Sequence, residues 1–162
     1  MKWSDVIGMK ELEDLPFKIE LNEWGNIVMR PASNRHSFFQ GAIENLLNQQ
    51  KPNGAVFPEC SIETAKGVKV ADVVWGSTAF FQKHRLDTPY RVAPELCVEI
   101  LSPSNVAGEM MEKKDLYLAK GAREFWICDN EGAMRFFGNA GETSESSLFP
   151  AFPQKLDWES FL

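Results

Sequence analysis

Two carboxylates interrupt otherwise apolar runs. Asp72 lies within Val68-Lys-Val-Ala-Asp-Val-Val-Trp75, and Glu99 within Leu96-Cys-Val-Glu-Ile-Leu101. Both runs have the length and β-branched content of strands. Side chains alternate along a strand, so Asp72 shares a face with Val68, Val70 and Val74, and Glu99 shares one with Cys97 and Leu101. An unpaired charge in such surroundings is expensive. Protonation, an Arg or Lys partner, or a metal ion would each offset the cost. The plain structural alternative is a strand end with its carboxylate in water. Two such acids in separate strands argue against it. Facing each other on neighbouring strands, they would repel unless a cation sat between them, and oxygen-only ligands suit Mg²⁺ or Mn²⁺.

The rest of the chain surrounds these strands with alternating element types. Ser4 is a candidate N-cap for a helix over residues 5–14, which must end before Pro16. Residues 17–30 predict a hairpin, with turn chemistry at Asn22-Glu-Trp-Gly-Asn26. Ser33 or Asn34 could cap a helix running from about His36 to Gln50, with Phe39, Ile43, Leu46 and Leu47 as its apolar stripe. Lys51-Pro-Asn-Gly54 is a break. Strands are predicted at 55–63 and 68–75, then a long connection over 76–94 with one helical turn, then a strand at 95–101. Ser104 or Asn105 could cap a helix over 106–120, with Gly121 as its stop. Strands at 123–129 and 134–137 precede a loop at 138–147, and Leu148 to Leu162 packs back on the domain. This order predicts a single domain over residues 1–162, α/β of the α+β kind, with a mixed sheet flanked by helices.

The bulk numbers allow such a domain and restrict its partners. The chain has 162 residues, 44% hydrophobic and 25% charged, which is long enough and apolar enough for a real core. No apolar run spans a bilayer, and Met1 to Asp5 carries no apolar signal segment, so a cytoplasmic location is expected. Cys60, Cys97 and Cys128 form no C-x-x-C pair and read as small buried hydrophobes. With His36 and His84 they give no zinc spacing. The net charge of −6 argues against an unassisted, sequence-nonspecific DNA-binding module, which usually carries a basic face. It weighs less against a metal-dependent site, because bound cations offset local carboxylates.

The predicted helix after Glu99 supplies cations. Lys113 and Tyr117 are four residues apart and share a face, and the helix could bring Lys113 back over Glu99. Lys114 is the rival, closer to the Met110, Met111 and Leu118 stripe. Either could instead be a solvated surface lysine. In the 76–94 connection, Lys83, His84, Arg85 and Arg91 form a local basic cluster, which makes that segment the expected substrate-facing one.

The chain resembles the prokaryotic Uma family of restriction endonucleases, within the PD-(D/E)xK nuclease superfamily. The matching stretches are Ile19-Glu20-Leu-Asn22 with Gly25, Pro31-Ala-Ser33 followed by His36, then Glu59 and Val70-Ala71-Asp72-Val73. The best match is Pro94-Glu-Leu-Cys-Val-Glu99-Ile-Leu-Ser-Pro-Ser104. Lys113, Tyr117, Gly121 and Arg123-Glu-Phe-Trp-Ile-Cys-Asp129 complete a series in family order over about residues 17–130. The tail from Leu148 is also similar.

The resemblance implies a restriction-endonuclease-like fold in which Asp72 and Glu99 coordinate Mg²⁺ or Mn²⁺ and Lys113 completes the catalytic set. The superfamily lysine usually lies two residues after the second acid. Leu101 stands there, and Lys113 occupies the matching place on the following helix. Ala71 stands where the motif has proline. Glu20, His36 and Glu59 also fall on family positions: Glu59 as a further ligand or an acceptor beside one, His36 as an orienting or substrate-contacting group or a histidine satisfied within the fold. The implied substrate is nucleic acid, with DNA the expected form, and the implied reaction is phosphodiester hydrolysis.

Two other readings stay open. A noncatalytic domain that kept the fold could bind a protein or nucleic-acid partner, with Trp3, Trp24, Trp75, Trp126 and Trp158 as interface candidates. Edge strands of a small mixed sheet could also pair two copies into a homodimer.

Overall fold

The structure is a computed structural model that describes residues 1–50, 53–106 and 108–162. Lys51 and Pro52 of the predicted break, and Ala107 near the predicted start of a helix, lie outside the described residues.

The hairpin forms as β1 (Phe17–Leu21) and β2 (Ile27–Pro31). The Asn22 carboxamide closes its turn by accepting from the Trp24 and Asn26 N–H groups at 3.1 and 2.9 Å. The remaining strands build one six-stranded sheet in chain order: β3 (Gly54–Thr64), β4 (Gly67–Ser77), β5 (Leu96–Ile100), β6 (Glu124–Cys128), β7 (Met134–Gly138) and β8 (Gly141–Thr143). Strands β5 and β6 run parallel and the other neighbours antiparallel. A parallel pair needs a crossover, and α4 (Glu109–Ala119) provides it. Gly121, at φ +105°, ends the crossover. The Gly121 and Ala122 N–H groups donate to the Leu118 and Tyr117 carbonyls, the paired closure that a left-handed residue permits.

Period-2 burial divides the sheet into two faces. On one, Phe39, Ile43 and Leu47 of α2 (Asn34–Gln50) pack on Val73, Trp75, Leu96, Val98, Ile100 and Trp126. On the other, Met110 and Tyr117 of α4 and Phe80 of α3 (Thr78–His84) cover Val74, Cys97, Phe125 and Ile127. A third cluster joins Trp3 and Val6 of α1 (Trp3–Ile7) to Leu21, Val68 and Val70. Cys60, Cys97 and Cys128 are free and buried, as expected of small hydrophobes. No helix among the described residues is long and apolar enough to cross a membrane.

Several expectations need correction. The first helix stops at Ile7, and a 3₁₀ turn at Lys10–Leu12 follows. Gly8 has no side chain to bury and a high helical cost, so nothing extends that helix. Ser4 is not its cap: Asp5 accepts from the Lys2 N–H at 2.8 Å. The fourth helix begins at Glu109, later than predicted, because Asn105 accepts from the Ser102 N–H at 2.7 Å instead of capping a helix. The predicted loop at 138–147 contains β8, held to β7 by a bidentate Arg135–Glu142 pair at 2.8 and 3.0 Å. Of the five tryptophans, Trp3, Trp75 and Trp126 are core, whereas Trp24 and Trp158 are exposed.

The basic cluster of the 76–94 segment also lies away from the Asp72 and Glu99 cavity, none of whose lining residues belongs to it. The segment caps the sheet edge instead. Tyr90 donates its N–H to Ser61 O and accepts from the Glu63 N–H, completing hydrogen bonds that β3 would otherwise leave open.

The tail does pack back, through buried Phe149, Phe152 and Leu156. Its anchor is Glu124, a buried carboxylate on β6. It accepts from Trp126 Nε1 at 2.8 Å, Ser146 Oγ at 2.6 Å, and the Ser147 and Leu148 N–H groups at 2.8 and 2.9 Å. Glu124→Ala leaves these donors without an acceptor, at a cost of about 1–3 kcal/mol for each one that stays buried. We expect a total loss of about 3 kcal/mol in urea unfolding followed by tryptophan fluorescence. A loss below about 1 kcal/mol would mean that the anchor is dispensable.

Candidate active site

The β4–β5 ladder pairs Val73 with Val98, Val74 with Cys97 and Trp75 with Leu96, and then stops. The next positions on each strand are Asp72 and Glu99. There the strands part, and the Asp72 side chain takes over from the ladder: its Oδ2 accepts from the Ile100 N–H at 2.7 Å. On its other side Asp72 lies opposite Glu59, where the β3–β4 register is also interrupted between Pro58 and Cys60. Glu59 takes a left-handed conformation, φ +57°, uncommon for a residue with a side chain. Gln40 of α2 fills the gap, donating to Asp72 O at 2.8 Å and to Glu59 Oε1 at 2.9 Å.

A cavity of about 480 Å³ opens at this break, bordered by Lys18, His36, Gln40, Glu59, Asp72, Glu99 and Lys113. Asp72 and Glu99 are both 1% exposed. Their charges are met by two lysines. Lys18 Nζ bridges them, 3.0 Å from Asp72 Oδ1 and 2.8 Å from Glu99 Oε2. Lys113 Nζ lies 3.2 Å from Glu99 Oε1 and 2.9 Å from Glu20 Oε1. Tyr117 OH donates to Glu99 Oε1 at 2.8 Å, the Val70 N–H donates to Glu20 Oε2 at 2.9 Å, and His36 Nε2 lies 3.2 Å from Asp72 Oδ2.

The electrostatics follow this wiring. Burial alone would favour the neutral form of each group. For Asp72 the Lys18 charge, His36 and the Ile100 N–H outweigh burial and hold the carboxyl well below the usual range. For Glu20, Lys113 and Lys18 outweigh burial and lower the carboxyl from its usual value. Glu99 is pushed upward, because burial and the neighbouring Asp72 and Glu20 charges prevail over the two lysines. Lys18 is held well above its ordinary value: burial opposes the charge, but Asp72, Glu99 and Glu20 together overcome it. His36 is raised against its own burial by Asp72.

The sequence matches a family model described as "putative restriction endonuclease", Uma2, over residues 9–154. The chain belongs to the Uma2 family. A solved structure from Anabaena variabilis, described as a putative nuclease of DUF820, has a TM-score of 0.74 to this chain at 18% identity, covering 98% of this chain and 96% of that one. At that identity the likeness shows the fold, and it bears out the mixed sheet flanked by helices. A comparison with curated proteins gave no match.

Of the family positions read from sequence, Asp72, Glu99, Lys113, His36 and Glu59 converge on the cavity, and Glu20 pairs with Lys113 behind it. Lys114 points elsewhere, 3.4 Å from Asp115 and over the Phe137 ring. Sequence reasoning missed Lys18 and Gln40. The signal for Lys18 was Phe17-Lys-Ile-Glu-Leu21, whose alternation puts Lys18 on the Glu20 face. A charged strand face reads as solvated until a second sheet covers it. Gln40 lay one residue from the apolar stripe of α2 and carried no signal.

Among the described residues no three His, Cys, Asp or Glu side chains gather closely enough to form a ready-made metal cluster. Two carboxylates do converge on one cation, the Lys18 ammonium, so the oxygen donors fit a hard divalent ion that takes its remaining ligands from water or substrate. Lys113→Met breaks a buried pair and should cost about 3 kcal/mol, and adding Glu20→Gln should recover part of it. A thermal-denaturation double-mutant cycle measures this. Strict additivity would show that the Glu20–Lys113 contact carries no energy.

Proposed function

We propose that the chain is a divalent-metal-dependent nuclease that hydrolyses nucleic-acid phosphodiester bonds at this cavity, with DNA the expected substrate. The observation that carries the reading is the pair of buried carboxylates where β4 and β5 part, facing a cavity of about 480 Å³. Membership in a family described as "putative restriction endonuclease" agrees with it.

Each side chain has a defined task in this reading. Asp72 and Glu99 would hold Mg²⁺ or Mn²⁺. The ion would supply Lewis acidity, lowering the pKa of a bound water and offsetting charge on the phosphate oxygens. Lys113, fixed by Glu20 and Glu99, presents an ammonium to the attacking water or to the charge that develops on phosphorus-bound oxygen. Tyr117 and Lys113 fix the Glu99 carboxylate, and the Ile100 N–H with His36 fixes that of Asp72. Gln40 holds Glu59 at the cavity wall, where its exposed carboxylate can accept from water. Lys18 and Lys113 compensate part of the negative charge that Glu20, Asp72 and Glu99 bring to the site.

A noncatalytic partner-binding domain is the second reading, favoured by one observation: Lys18 already bridges the carboxylate pair. Cleavage of plasmid DNA and of labelled single- and double-stranded oligonucleotides in Mn²⁺ separates the two. We expect cleavage that EDTA abolishes and that falls on the order of 10²–10³-fold in Asp72→Asn, Glu99→Gln and Lys113→Met, with circular dichroism unchanged. Cleavage at wild-type rate in all three folded variants would overturn the proposed site. Absence of cleavage on every substrate, with or without metal, would favour the second reading.

A further inference from the structure

The four carboxylate oxygens of Asp72 and Glu99 are not equivalent. Asp72 Oδ2 is taken by the Ile100 N–H and His36. Glu99 Oε1 is taken by Tyr117 and Lys113. The other two, Asp72 Oδ1 and Glu99 Oε2, are held by a single group, the Lys18 ammonium. These are the oxygens a cation would need to bridge the pair.

We propose that Lys18 is a tethered occupant of the metal position, so that a divalent ion and Lys18 exclude one another and metal binding drives the ammonium into the cavity. The inference rests on the divalent-metal part of the proposed function and deepens it by assigning a role to Lys18, which lies outside the family positions read from the sequence.

Mutual exclusion follows from size and charge. Mg²⁺ sits about 2.0–2.1 Å from its oxygen ligands. An ammonium hydrogen-bonded to the same two oxygens would lie against the ion, two cations in one desolvated place. Lys18 and Lys113 differ in the oxygens that hold them. Lys113 is held by Glu20 Oε1 and Glu99 Oε1, neither of which the ion needs. Lys18 has Asp72 Oδ1 and Glu99 Oε2 as its side-chain hydrogen-bond acceptors among the described residues, would lose both to the ion, and borders the open cavity into which its flexible stem can swing. Once displaced, its ammonium faces the space that a phosphodiester would enter, where a phosphate oxygen can replace the carboxylates as its acceptor. Metal and substrate phosphate therefore bind with mutual assistance. In the absence of metal, Lys18 keeps two facing carboxylates from repelling each other.

Calorimetric titration of Mn²⁺ into the full chain tests this with a readout independent of activity. Lys18→Met should bind Mn²⁺ at least tenfold more tightly than wild type, and Lys18→Arg, which keeps the charge, should not. Equal or weaker binding in Lys18→Met, or no binding at all, overturns the proposal. Should Lys18→Met fail to fold, lysine-labelled wild-type protein gives the answer by NMR under Mg²⁺ titration. The Lys18 ε-methylene signal should shift as the ion displaces it, and should stay put in Asp72→Asn. A Lys18 signal that does not move at saturating Mg²⁺ overturns the proposal. The two hypotheses fail separately: tighter Mn²⁺ binding without cleavage of any nucleic acid retains the Lys18 assignment and removes the nuclease, whereas cleavage with unchanged Mn²⁺ affinity does the reverse.

Discussion

The hydrogen bond from the Ile100 N–H to the Asp72 carboxylate sets up everything around it. A strand pair that continued its ladder would close the sheet over this point and leave no cavity. By accepting the amide itself, Asp72 lets β4 and β5 separate without orphaning a buried backbone donor. The separation creates the cavity, and the same carboxylate becomes its floor. Glu99, opposite Asp72 on the partner strand, is brought within reach of the same cation. Two buried charges at one point are tolerable only with compensating cations, so the placement of Lys18 and Lys113 follows from that separation.

The outer elements keep this arrangement in register. The β1–β2 hairpin lies against β4 and carries Lys18 and Glu20 inward on one face, one lysine to the acids and one acid to the second lysine. The α4 crossover brings Lys113 and Tyr117 over Glu99. Its start is tied down by Glu109, which accepts from Asn105 Nδ2 and the Val106 N–H at 3.0 Å each and pairs with Arg30 of β2. The α4 end is closed at Gly121. Residues from β1, β4, β5, α2 and α4 therefore share one ionic network, and moving any of these elements would unbalance its charges.

Much of this was legible in the chain before any coordinates. Asp72 and Glu99 stood out because an acid inside an apolar run needs an explanation, and one of the remedies considered, a lysine partner, is what surrounds them. Lys113 was legible through its helical relation to Tyr117 and its family position, with Lys114 as the rival until the rotation of α4 was known. Lys83, His84, Arg85 and Arg91 looked like a substrate surface because they cluster in sequence, yet their segment caps an edge, since β3 would otherwise expose an unpaired backbone. Lys18 was passed over because a lysine alternating with apolar residues normally points to water. Gln40 and the left-handed backbone of Glu59 were invisible, because a backbone gap between two strands leaves no trace in either strand's pattern.

Periodicity, turn chemistry and two misplaced acids determined on their own that the chain would form a mixed sheet with helices around it and a charged site near Asp72 and Glu99. Those are consequences of local sequence: alternation, capping and the cost of burying a charge act within a few residues. Which cation meets which carboxylate oxygen was decided by the tertiary structure. Lys18 is 54 residues from Asp72 and 81 from Glu99 in the chain, and the contacts exist because the hairpin packs across β4 beside the point where the sheet opens. An ion pair depends on distance and dielectric, and both are properties of the packed molecule.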